Sequence, residues 1–337
     1  MSRLKAIFLF IACFALILVL QVQIHNRGGL QLVNVEAAAN PTGSYVFSQS
    51  ANDNLAADQP DKLSIRWYKS QQYEEPKGVA LVIHGLNLQP ARMAPIISKL
   101  TASGIDVLRL SLRGHGENYL HHEGTDVEEA RMEAFKNVSY QLWIREAYVA
   151  YLQVKERAKL YNAPVFLAAF SLGGLIGLDL FASNPEVHFD RMVLFAPAIK
   201  VHGIIYLQRV LSPFPQLVIP SLAPGSYLSN KKGTPIAAYN ALFAGLEHFE
   251  KNADSKINVS TLILIDKEDE FIPLWGLKKL VKEKNLDQWS FYIVEKAKDV
   301  KFGVFHHHII DEYSTGKDVW AKMMKTVVLH LLGDKQD

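Results

Sequence analysis

Serine is a weak nucleophile until a base takes its proton, so a chain that uses one must also supply a histidine and a group to orient it. In APVFLAAFSLGGLIGLDLFA (163–182) a single hydroxyl, Ser171, stands between two apolar runs. Val165 to Ala169 has the length of a strand buried on both faces, and Leu175, Leu178, Leu180 and Phe181 recur at roughly helical spacing. Ser171 therefore falls on a strand-to-helix corner. Small residues two before and two after it, Ala169 and Gly173, let the two elements approach closely. Such a corner pushes the Ser171 Oγ out at the carboxyl end of the strand and points the Leu172 N–H at whatever the serine attacks. Serine is also a common helix N-cap, so its partners must decide.

Three loops offer partners. In HGLN (84–87) Gly85 permits a sharp turn that would free the Leu86 N–H as a second oxyanion donor beside that of Leu172. DKEDEFIP (266–273) crowds Asp266, Glu268, Asp269 and Glu270 between a strand and the helix that Pro273 opens. Asp269, central in that loop, is the expected orienting carboxylate, with Glu268 the alternative. GVFHHHIIDE (303–312) supplies His306, His307 and His308. Three histidines in a row could bind metal, but no C-x-x-C or H-E-x-x-H completes a zinc site, and a histidine loop downstream of serine and acid suits a general base. Which of the three serves stays open on these residues alone. A further loop, SLRGHGEN (111–118), is glycine-rich, and its His115 reads as shaping the loop rather than doing chemistry.

These loops must be held by a scaffold. Strand-length apolar runs at Leu63 to Tyr68, Val79 to Ile83, Asp106 to Leu110, Val165 to Ala169, Met192 to Phe195, Leu262 to Ile265 and Phe291 to Val294 alternate with helical patterns near 91–103, 133–160, 172–184, 273–284 and 317–332. The alternation predicts an α/β fold, a mostly parallel sheet with helices on both faces, whose ligands gather at the carboxyl ends of the strands. The segment at about 199–258 is too long for a simple connection, and its bulky apolar residues are interrupted by prolines.

Across the 337 residues, 36 basic side chains nearly balance 34 acidic ones, and no long basic run carries interleaved aromatics, so nothing points to nucleic acid. A composition 49% hydrophobic is enough for a substantial core. The single cysteine, Cys13, leaves no internal disulfide. It lies in AIFLFIACFALILVLQV (6–22), an apolar run preceded by Arg3 and Lys5. Residues 1–30 therefore read as a signal-anchor or signal segment, with the remainder placed across a membrane, anchored or, if the segment is cleaved, secreted. Residues 31–61 read as a polar linker, and 62–337 as the globular domain.

Serine, acid and histidine in that chain order on a parallel sheet resemble the α/β-hydrolase superfamily over roughly 63–333. The HG turn, the RGHG loop, the A-x-S-x-G corner, the acid before FIP and the late histidine are most similar to the monoacylglycerol lipase and lysophospholipase group of serine aminopeptidase-like hydrolases. That resemblance implies Ser171 as nucleophile, Asp269 as acid, His307 as base, and Leu86 and Leu172 as oxyanion-hole residues. His307 is preferred over His306 and His308 because family members show a histidine, four residues, then a glutamate, here Glu312. Two positions depart from the pattern: Ala169 replaces a glycine, and Ser111 stands where the group often has aspartate. The resemblance makes the 199–258 insertion a cap. Its apolar character favours a small hydrophobic ester as substrate, with no metal or cofactor required. The same residues could serve a thioesterase, amidase or peptidase, or a catalytically silent ligand-binding relative.

Overall fold

Strands buried on both faces have no polar side to show, and the computed structural model bears this out where the sequence is most apolar. It describes residues 63–333 apart from 71–72, 121–123, 222, 299 and 301–304. The anchor expected at 1–30 and the linker at 31–61 lie outside the described residues. No helix among the described residues is long and apolar enough to cross a membrane.

Each of the seven apolar runs forms a strand. They are β1 (Ser64–Tyr68), β2 (Gly78–Ile83), β3 (Ile105–Ser111), β4 (Val165–Phe170), β5 (Arg191–Phe195), β8 (Ser260–Asp266) and β9 (Trp289–Val294), β6 and β7 being a short pair inside the insertion. All seven join one sheet in the order β1-β3-β2-β4-β5-β8-β9. The edge strand β1 runs antiparallel to β3, with Ile65 opposite Leu110; every other pair is parallel. Every residue of β2 and β4 is buried, so both faces of the sheet are covered there.

Two groups of helices cover it. Helix α1 (Ala94–Ala102) packs on β3, and α8 (Lys317–Leu332) packs on β5 and against α1. Helix α3 (Tyr140–Leu160) packs on β2 and β3 and against α4 (Leu172–Ser183), which lies on β4. Residues 172–181 of α4 are buried on every side, as an apolar helix with no polar face must be.

The helical pattern read as one element over 133–160 is two helices, α2 (Val127–Lys136) and α3. Caps explain the break. The Asp126 carboxylate accepts from the Glu128 and Glu129 N–H groups, and the Ser139 hydroxyl accepts from Leu142 N–H, so each helix starts on its own side-chain acceptor.

Between β5 and β8 the insertion is not uniform. Gly203–Leu211 is a 3-10 segment, and β6 (Val218–Ile219) pairs antiparallel with β7 (Thr234–Pro235). Helix α5 (Ile236–Asn252) then packs on α3 and α4, with Gly245 so close that a Cβ there would lie 2.9 Å from the Tyr140 ring and 3.2 Å from the Leu175 side chain. It thus belongs to the helical layer, and the part of 199–258 that stands apart from that layer is about 199–235. Helix α6 (Leu274–Glu283) follows β8, and the short α7 (Glu312–Thr315) precedes α8.

Candidate active site

The corner between β4 and α4 holds Ser171 at φ 52°, ψ −115°, a region that side-chain-bearing residues rarely adopt. The backbone pins it there. Ser171 N–H donates to Phe195 O at 3.0 Å, and Ser171 O accepts from Ala198 N–H at 2.9 Å, so both peptide groups of the corner are tied to the end of β5. Gly173 makes the close approach possible: a Cβ there would lie 2.3 Å from Ile83 O and 2.7 Å from His84 O. The same crowding sets the HG turn directly beside the serine, since a Cβ on Gly85 would come within 3.2 Å of Ser171 Cβ.

From this corner a hydrogen-bonded chain runs through His307. Ser171 Oγ lies 2.9 Å from His307 Nε2, and His307 Nδ1 lies 2.8 Å from Asp269 Oδ2. The chain is consistent with one tautomer, Nδ1–H donating to the carboxylate and Nε2 accepting from the hydroxyl. All three side chains are buried. The other Asp269 oxygen, Oδ1, accepts from Phe271 and Ile272 N–H groups, each at 2.8 Å, so the carboxylate is locked by its own loop.

The remaining histidines diverge from this chain. His306 Nδ1 donates to Asp266 Oδ2 at 2.8 Å, and its Nε2 is 3.6 Å from Glu268. His308 packs its ring edge-on to Tyr227, with centroids 5.0 Å apart, and burial, reinforced by the neighbouring His307 and Lys296, pushes it down to about 3. Glu268 thus faces His306 rather than His307. Glu312 is exposed at the start of α7, while Asp311 caps that helix by accepting from Ser314 N–H and also takes the Tyr227 hydroxyl.

Leu172 is the first residue of α4, so its N–H is one of the four that a helix leaves without an internal acceptor. Neither it nor the Leu86 N–H has a backbone acceptor among the described residues. The turn carrying Leu86 is held by a reciprocal pair of histidines. His84 Nε2 accepts from Leu112 N–H at 3.0 Å across to the loop after β3, and His115 Nε2 accepts from Asn87 N–H at 2.9 Å back from that loop. Their rings are fully buried, 4.6 Å apart. Burial drives both pKa values down, that of His115 to about 4, so both are neutral and each can accept. Glu146, buried on α3, holds the same loop by accepting from Arg113 N–H and Asn118 Nδ2; burial pushes it up to about 7.

Several of these residues escaped the sequence reading. Asn87 joins the HG turn to the insertion: its amide donates to Asn230 O and Gly233 O, and its carbonyl oxygens accept from Asn230 N–H and Ser229 N–H. Glu270 and Lys296 bind the backbone around His307, as described below. Asn87 takes a positive φ of 51° in that turn, and asparagine's tolerance of this conformation was its one sign in the sequence. Glu270 was noted only as one of four acids in its loop, and nothing in the sequence marked Lys296, which resembles a solvated charge.

Residues 74–240 match the family model described as serine aminopeptidase, S33. Among solved structures, the fold is similar to that of a soluble variant of the Saccharomyces cerevisiae monoglyceride lipase in complex with a substrate analog. The TM-score is 0.64 and the identity 14%, over 80% of this chain and 91% of that one. The described residues have the α/β-hydrolase fold, and the stretch that matches the serine aminopeptidase model covers just under half of the chain. Two further solved lipolytic enzymes are similar in fold. The Paleococcus ferrophilus monoacylglycerol lipase gives a TM-score of 0.55 at 18% identity, covering 80% of this chain and 99% of that one. A structure from work on the metagenome-derived lipolytic enzymes LipS and LipT gives 0.60 at 16%, covering 79% and 96%. At such identities the likeness is one of fold. No curated protein matches at the level of sequence.

Proposed function

We propose that this α/β hydrolase cleaves carboxylic esters of lipid-like molecules, of the monoacylglycerol or lysophospholipid kind, through an acyl-enzyme on Ser171. The observation that carries the reading is the continuous Ser171–His307–Asp269 chain, with contacts of 2.9 and 2.8 Å, beneath a serine on a strained corner. His307 Nε2 takes the Ser171 proton as Oγ attacks the acyl carbonyl; Asp269 holds the ring and stabilises its cation. The tetrahedral oxyanion faces the Leu86 and Leu172 N–H groups, each such donor being worth about 3–4 kcal/mol in the transition state. The protonated His307 gives its proton to the departing alcohol. Water, deprotonated by the same nitrogen, then releases the acid and restores Ser171.

A hydrophobic substrate is supported by the surroundings. Phe271 sets its ring edge-on to His307 at 5.1 Å while remaining partly exposed. The insertion turns Ile204, Leu207, Val210 and Phe214 outward. A cap with this surface suits an acyl chain better than a sugar or a charged peptide. The apolar run at 6–22 supports an anchor that holds the domain on the far side of a membrane, close to lipids.

The test is fluorophosphonate labelling of the detergent-solubilised full chain beside Ser171→Ala, His306→Ala, His307→Ala and His308→Ala, followed by p-nitrophenyl esters of increasing acyl length. Labelling should vanish with Ser171→Ala and His307→Ala and persist in the other two, and turnover should rise from acetate toward longer chains. A folded wild type that takes no label would refute the catalytic reading. Preference for acetate, or for thioesters or amides over esters, would refute the substrate class. Protease protection of the full chain in sealed membrane vesicles tests the topology: digestion of the domain from the cytoplasmic side would overturn it.

A further inference from the structure

His307 sits in a segment, 305–311, with no helix or strand to fix its backbone. Two side chains do this instead. The Glu270 carboxylate reaches 36 residues along the chain and spans two successive amides, Oε1 accepting from His306 N–H at 2.8 Å and Oε2 from His307 N–H at 3.0 Å. From the other direction the Lys296 ammonium donates to the carbonyls of Phe305 and His308, the latter at 2.7 Å. The peptide units around His307 are thus gripped at their N–H groups by an anion and at their carbonyls by a cation.

We infer that Glu270 and Lys296 are positioning residues that hold the His307 imidazole in line between Ser171 and Asp269, an inference that rests on the catalytic reading above. Charge-assisted bonds of this sort are roughly twice as strong as neutral ones, and the carboxylate's two oxygens fix the direction as well as the distance of the loop. Asp269 and Glu270 divide the work of one loop: the first grips the ring of His307, the second its backbone. Lys296 is partly buried among Asp266, Asp269, Glu270 and Asp311; burial lowers it to about 8 while these acids pull the other way, so it remains mostly cationic at neutral pH. Displacing a catalytic group by about 1 Å can cost on the order of 100-fold in rate, so loosening either grip should reach the chemistry without touching the substrate.

The experiment compares the full chain with Glu270→Ala, Glu270→Gln and Lys296→Met, using p-nitrophenyl butyrate as substrate. Rates are normalised to active sites by titration, so that misfolded protein does not count. The expected result is a kcat about 10- to 100-fold lower for Glu270→Ala and Lys296→Met, with KM within twofold, and a smaller loss for Glu270→Gln, which keeps one acceptor and the same shape. A second measurement separates positioning from general support. Glu270→Ala is added to His307→Ala, with rates taken per mole of folded protein because this background takes no label, and a residue acting only through His307 should lower the residual hydrolysis no further. Normal kcat per titrated site in both Glu270→Ala and Lys296→Met would overturn the inference. So would an equal loss from Glu270→Ala in the presence and absence of His307. A wild type that neither hydrolyses the ester nor takes the fluorophosphonate would instead remove the catalytic reading on which the inference stands.

Discussion

Replacing Ser171 by glycine should give a more stable protein than replacing it by alanine. Both variants lose the hydroxyl and its bond to His307, so that contribution cancels between them. What differs is the Cβ at φ 52°, ψ −115°. Holding a side-chain-bearing residue in so sparse a region costs about 1–3 kcal/mol, and glycine is relieved of most of it. Against this stands glycine's greater freedom in the unfolded chain, about 0.5–1 kcal/mol relative to alanine. The balance favours Ser171→Gly over Ser171→Ala by about 1 kcal/mol, the extremes of the two ranges giving about 0–2.5, and reverses the order found at most buried positions. Urea unfolding reads this directly through the fluorescence of Trp143, Trp289 and Trp320, all buried in the native state. Both variants should be inert to fluorophosphonate, so any stability gained at the corner comes with loss of the proposed nucleophile. If Ser171→Ala matched or exceeded Ser171→Gly, the backbone at the corner would not be strained, and the account of how it presents the hydroxyl would fail.

Gly173→Ala should destabilise at the upper end of the ~1–3 kcal/mol range for overpacking, because the new Cβ would meet two backbone carbonyls that have no rotamer to escape into; an unchanged urea midpoint would show that α4 can ride away from β2. Acidification should weaken the fold through His115. Its native pKa of about 4 lies below the ordinary value of 6.5, so the unfolded chain binds the proton first, and stability falls between pH 6.5 and 4 by up to about 3 kcal/mol. His115→Gln should flatten that slope in urea titrations at pH 7, 5.5 and 4.5. Glu146 works in the opposite sense. Its native pKa near 7 lies above the ordinary 4.5, so its stabilising contribution is complete below 4.5 and drains as pH rises through 7. Glu146→Gln should therefore lose less stability than wild type between pH 5 and 8, and a larger loss would contradict the buried-acid reading.

The central strands were legible because a strand covered on both faces is spelled as an unbroken apolar run, GVALVI and VFLAAF being the clearest. Ser171, Leu86 and Asp269 were legible for a related reason: each comes shortly after a strand, where this type of sheet places its ligands, whereas His307 lies in a longer loop after β9. Helix α5 was harder to see. It follows Thr234 and Pro235 within a proline-broken stretch, so its local sequence does not separate it from the insertion, and only its packing against α3 and α4 does. The break between α2 and α3 carries no glycine or proline, just the cap at Ser139. The roles of Glu270 and Lys296 could not be read at all, because a charge that grips another loop's backbone is spelled like one that faces water. Their meaning lies in juxtaposition across the fold, which the order of residues does not state.

The distance along the chain between Ser171 and His307, 136 residues, has a consequence for the birth of the molecule. Ser171 directly follows β4, at the centre of the sheet, whereas His307 follows β9 at its far edge. Synthesis runs from the N-terminus, so Ser171 is made before His307. In a chain that has reached only α4 the proposed base does not yet exist, and Ser171 is an ordinary alcohol. Its reactivity is withheld until the last strand has docked and nearly the whole domain exists. An activated serine in this protein is thus also a sign that synthesis and folding are almost complete, and truncated chains ending before the histidine loop should be chemically silent however well their remaining strands pack.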